Sequence, residues 1–205
     1  MLMPDCDSRL VYLAAMNCAL VTVVLIAIAI TDLAAQSKNA PDISTVASAG
    51  AVADGKYTNS LFRLTVAAPN ATLELNPLVN KEAGRARLVQ VLAKQTTFDN
   101  TYTFAVLADT LAKYPQLQSP THYVRSVRHQ LEREGLLTVR EEFPITISGV
   151  EFAGAILEEH VPEGRKYYRG MYSVFRDGFI LSFDVEAASP EKVNELVLRA
   201  VSLAK

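Results

Sequence analysis

The dipeptide Asp177-Gly178, set between two alternating apolar runs, constrains this chain more than any other feature. A two-residue type I′ turn needs positive φ at both central residues, which aspartate tolerates and glycine adopts freely, and its twist matches that of paired strands. The stretch 166–187 therefore predicts a hairpin of fixed register. Arg176 falls opposite Phe179, Val174 opposite Leu181, Tyr172 opposite Phe183, Gly170 opposite Val185 and Tyr168 opposite Ala187. These residues share one face, expected to be the core. The other face carries Tyr167, Arg169, Met171, Ser173 and Phe175 across from Ala188, Glu186, Asp184, Ser182 and Ile180, with Arg169 and Glu186 as a cross-strand charge pair. The three tyrosines, two arginines and three phenylalanines of residues 166–185 resemble a ligand platform. Divided between two faces they read as strand, with Tyr168 and Tyr172 packing inward.

Other segments fall into place around this hairpin. "YTNSLFRLTVAAPN" (57–70) alternates, with Phe62, Leu64 and Val66 on the apolar side, and reads as one strand ending at Pro69. Residues 85–94 and 102–109 read as central strands, apolar on both faces in places. Ser119-Pro120 and Ser189-Pro190 each open a helix, serine capping and proline at the first position, where a missing N–H is harmless. The first helix stops at Gly135. The second is expected to run to the end of the chain, with Val193, Leu196, Val197, Ala200, Val201 and Ala204 as its apolar stripe and Glu195–Arg199 as an i,i+4 pair. Strands at 137–147 and 150–161 lie between the helices. The expected class is α+β, an antiparallel sheet flanked by helices as an α/β/α sandwich.

Ahead of this body, residues 10–30 form an apolar run long enough to cross a bilayer, and small residues follow at Ala34 and Ala35. Residues 1–36 thus read as either a cleaved signal peptide or a retained membrane anchor, 37–55 as a tether and 56–205 as one folded domain. Both readings imply export, periplasmic or otherwise outside the cytoplasm. Cys18 sits inside the apolar run rather than after it, which disfavours lipidation. Both cysteines, Cys6 and Cys18, precede residue 36, so the body has no thiol chemistry. It holds nineteen basic against nineteen acidic residues, and that neutrality argues against nucleic-acid binding.

Candidate sites are few. His122 and His129 lie two turns apart on one helix and cannot share a metal ion. With Arg125 they offer a basic face for an acidic partner, to which Tyr167 is a possible addition. Glu158 and His160 project to the same side of a strand as a carboxylate–histidine pair, the one candidate for acid/base catalysis. No nucleophile elbow, phosphate loop or calcium loop accompanies them. Asn70-Ala71-Thr72 is a glycosylation sequon. No cofactor is expected.

"GKYTNSLFRLTVAAP", an opening strand ending in proline, and "YYRGMYSVFRDGFILSFDVEAASPEKVNELVLRAVSLAK", a closing hairpin plus helix, resemble the PsbP-like group. These are α/β/α sandwiches that include exported bacterial proteins of the DcrB type. The resemblance covers roughly residues 56–205. It implies a noncatalytic accessory or binding domain at a membrane surface, with a protein or envelope component as partner, and it transfers no site residues. The alternatives are a small hydrolase-like enzyme using Glu158 and His160, or a carrier holding a small ligand between sheet and helix.

Overall fold

The computed structural model describes residues 41–67, 71–75, 78–93, 101–160 and 164–204; the apolar run 10–30 and the sequon asparagine Asn70 lie outside them. Along the chain run α1 (Ile43–Ser48), β1 (Gly50–Ala53), β2 (Lys56–Asn59), β3 (Leu64–Ala67), β4 (Ala71–Glu74), β5 (Leu78–Asn80), β6 (Arg85–Ala93) and β7 (Tyr102–Thr110). They are followed by α2 (Pro120–Arg133), β8 (Leu137–Ile147), β9 (Val150–His160), β10 (Lys166–Arg176), β11 (Phe179–Ala187), α3 (Pro190–Ala200) and β12 (Val201–Leu203). The class is α+β, dominated by antiparallel sheet. Among the described residues no helix is long and apolar enough to cross a membrane.

The larger sheet has the order β4-β6-β7-β11-β10-β9-β8, with β5 also paired to β6. Its centre is the predicted hairpin: every expected pair from Tyr168–Ala187 to Arg176–Phe179 is formed. Asp177 and Gly178 both take positive φ, 51° and 82°. One face of this sheet is the main core, where Phe104, Tyr172, Phe179 and Phe183 are buried with α1, α3 and a second sheet of order β1-β2-β3-β12. Phe62 meets Phe179 edge-on across the interface, at 5.8 Å between ring centres.

The opposite face of the hairpin is covered as well. Tyr123, Val124 and Leu131 of α2 bury Ala153, Ala155, Leu157, Met171 and Ile180 beneath them. Helices thus lie against both faces, and strands buried on both faces lose a clean apolar alternation. Arg169 does stand opposite Glu186, but its guanidinium binds Asp184 through two nitrogens at 2.9 and 2.6 Å, with Glu186 at 3.9 Å.

Three boundaries differ from the sequence reading. The segment read as a tether is folded from Asp42, whose carboxylate caps α1 by accepting from the Ser44 N–H. Ile43, Val46 and Ala47 enter the main core, so the folded unit begins well before residue 56. The single strand 57–70 is instead a hairpin, β2 turning into β3 through Ser60–Arg63. Buried Asn59 organises that turn: its amide donates to the Val46 carbonyl and Tyr57 Oη, and its oxygen accepts from the Phe62 N–H. Finally, α3 ends at Ala200. Val201 and Leu203 are buried as strand residues of β12 paired with β3, and Ala204 is exposed rather than part of a helical stripe. Two apolar residues at spacing two satisfy the strand period, and the pairing covers the free edge of β3.

Candidate functional site

Helix α2 packs across β8, β9 and β10, and beside it, over β6, β7 and β11, lies a cleft of about 540 Å3. Val127, Gln130 and Leu131 form its helical wall; Arg87, Leu107 and Ser182 contribute to its floor. That volume lies within the range of roughly 300–1,000 Å3 typical of small-molecule sites.

The floor owes its polarity to one irregularity. Between Arg87 and Val89 the β6–β7 register slips, so Leu88 is an extra residue. A bulge of this kind re-aims the side chains beyond it. Arg85 and Arg87 pair with Asp109 and Leu107, while Gln90 pairs with Ala105, and all of these residues share the α2 face. Leu88, Val89 and Val91 go to the core. Strict alternation would have placed Gln90 among them.

Two ion-pair clusters bracket the cleft. At one end the fully buried carboxylate of Asp109 accepts from Arg85 Nε at 2.5 Å and Tyr123 Oη at 2.7 Å. Burial, reinforced by the Asp109 charge, pushes the Tyr123 hydroxyl well above its ordinary range, so it stays a donor. At the other end Arg169 grips Asp184, and Thr103 donates to Glu186 at 3.1 Å. Ser173 and Ser182 bond to each other between them at 2.8 Å. Arg87 differs from the other two arginines lining the cleft. Among the described residues its side chain has no hydrogen-bond or ion-pair partner, and its Nε is buried.

The residues singled out from sequence lie elsewhere. Glu158 and His160 do meet, at 2.6 Å, and Lys166 joins them at 2.9 Å. Their strand positions project to the α3 side of the sheet, away from the cleft. Lys166 first, then His160, holds the Glu158 carboxyl down at about 2. Such a carboxylate is a poor general base near neutral pH.

On α2, His122 is exposed, Arg125 binds Glu142 at 3.3 Å, and His129 Nδ1 lies 2.8 Å from Glu132. Arg128 is buried and bridges Glu132 and Glu142. Much of the basic character read from the sequence is therefore matched internally. Tyr167 is half-buried at the start of β10, opposite Glu159. Among the described residues no group of three or more His, Cys, Asp or Glu is placed to hold a metal ion.

The Glu132 cluster has a measurable pH signature. Thr138 first, then His129, depresses the Glu132 carboxyl from 4.5 to about 2 in the folded chain. A depressed folded value means that its stabilisation is complete above 4.5 and lost as pH falls toward 2. Glu132→Gln should flatten the fall of unfolding free energy across that window. An unchanged acid limb in urea titrations would refute the assignment.

The sequence signal for the cleft was the pair Arg85 and Arg87, charged residues in a strand otherwise apolar enough to be central, together with Asp109 at the end of another. No protein-family model and no curated protein matches the chain. Among solved structures it is similar to a crystal structure from Bacteroides thetaiotaomicron VPI-5482, at 12% identity and TM-score 0.38, over 70% of this chain. The chain spans 46% of that protein's length. It is also similar to the solution structure of cyanobacterial PsbP (CyanoP) from Synechocystis sp. PCC 6803, at 12% identity and TM-score 0.46, over 76% of this chain and 96% of the other.

Proposed function

We propose that the chain is an exported, noncatalytic binding domain of the cell envelope, an α/β/α sandwich of the PsbP-like kind that takes its partner component in the cleft beside α2. The observation that carries this reading is the cleft itself: a cavity of about 540 Å3 between helix and sheet, with a buried arginine nitrogen that has no partner among the described residues. Concave, partly apolar sites with a few convergent polar groups are where proteins hold ligands. Export rests on the apolar run 10–30, and the fold alone assigns no activity.

Photo-crosslinking the full-length chain in intact cells tests both halves of the proposal. A crosslinking residue at Gln130, on the cleft rim, should give a defined adduct in envelope or extracytoplasmic fractions; one at Glu195, exposed on α3, should not. Glu158→Gln and His160→Ala should leave the Gln130 adduct unchanged. Equal adducts from both positions would refute the cleft, and recovery of the chain from the cytoplasm alone would refute export. Loss of the adduct in folded Glu158 or His160 variants would favour the catalytic reading.

A further inference from the structure

We propose that Arg87 anchors the anionic group of a small organic acid or phosphate monoester whose apolar body lies along the cleft. The inference rests on the cleft being the binding site and adds the chemical class of its occupant. Three arginines line the cavity, and two are already bound to carboxylates: Arg85 to Asp109 and Arg169 to Asp184. Arg87 retains its planar fork of donors, a geometry that fits a carboxylate or phosphate through two parallel hydrogen bonds. A buried guanidinium nitrogen left without an acceptor destabilises the folded chain, and an incoming anion supplies that acceptor.

The surroundings fix the rest of the ligand. The extra residue Leu88 directly follows Arg87 and turns Gln90, beyond it, onto the same face of the cleft. Arg85, two residues away on the same face, is balanced by Asp109, and the acids at the far end are engaged, Asp184 by Arg169 and Glu186 by Thr103, which leaves Arg87 as the arginine of the cleft without a bound carboxylate among the described residues. Leu107 forms the apolar floor next to Arg87. A second, shallower groove of about 340 Å3 continues past Arg85 and Arg87 onto Leu78 and Val79, which are 56% and 37% exposed. A charged head at Arg87 therefore has apolar surface on either side for its body.

The test titrates full-length protein with hexanoate and hexyl phosphate, using hexanol as the uncharged control, and follows amide NMR shifts at Arg87, Leu107 and Ser182. At least one of the two anions should shift these amides saturably, and the tighter of them identifies the headgroup; hexanol should not. Removing a charge-assisted hydrogen bond in Arg87→Gln should weaken anion binding by about tenfold or more, and Arg87→Lys by less. The unfolding midpoint of Arg87→Gln should stay level or rise, whereas a merely structural arginine would lower it. Equal anion affinity in wild type and Arg87→Gln, equal binding of hexanol, or no saturable shift with either anion at millimolar concentration would overturn the proposal. The Gln130 adduct would still decide separately whether the cleft is a binding site.

Discussion

Phe183→Ala is expected to lower the unfolding free energy by roughly 4 kcal/mol, near the upper end for truncation of a buried aromatic. Phe183 is fully buried in β11, in the middle of the larger sheet. Its ring lies between Phe152, at 5.4 Å and 30°, and Phe104, at 5.8 Å and 34°. Removing it opens a cavity between two rings held on β9 and β7, so neighbouring side chains cannot easily close over the gap. The check is urea unfolding, with a lowered midpoint at unchanged slope. Phe183→Leu, which keeps most of the volume, should cost about 1–1.5 kcal/mol. A loss below roughly 1.5 kcal/mol for the alanine variant would contradict the three-ring packing.

Gly170→Ala should cost about 3 kcal/mol through the opposite fault, overpacking. A Cβ on Gly170 would lie 2.2 Å from Val193 Cγ1 and 2.7 Å from Tyr172 Oη. Neither neighbour yields easily: Val193 is fully buried in α3, and the Tyr172 hydroxyl donates to Asn194 at 3.0 Å. The added methyl must therefore push α3 away from the sheet. Val193→Ala removes the nearer clash, so the double variant should be more stable than the sum of its two single changes by about 1 kcal/mol or more. Strict additivity in thermal or urea unfolding would show that α3 does not press on the hairpin here.

What the sequence disclosed depended on the range of the interactions involved. The Asp177-Gly178 hairpin was readable to the residue, because a two-residue turn carries its own register. Both Ser-Pro helix starts were readable for the same local reason: Ser119 Oγ and Ser189 Oγ accept from the N–H groups of His122 and Lys192. The turn after Asn59 was not, because the partners of its side chain include Val46, on a helix that reads as a tether until its burial is seen. Val201 fits a helical stripe and a strand equally well over so few residues, and only pairing with β3, which buries Leu203 two residues on, decides between them. The cleft depended on the Leu88 bulge, which reverses the faces of half a strand without a glycine or proline to mark it. Conversely, Glu158 and His160 were correctly expected to meet, yet proximity within one strand does not show where the cavity lies.

The four-stranded sheet draws three strands from Gly50–Ala67 and its fourth from Val201–Leu203. During synthesis β1, β2 and β3 emerge before β12, so the edge of β3 cannot close until Val201–Leu203 is available. Such long-range closure slows folding and leaves an unpaired apolar strand exposed in the meantime. The order of assembly is thus written into the topology: the hairpin of β10 and β11 can form locally, while the smaller sheet is completed last. A ribosome-bound chain that stops short of Val201 would retain an open edge on β3, the form in which a chaperone would meet it.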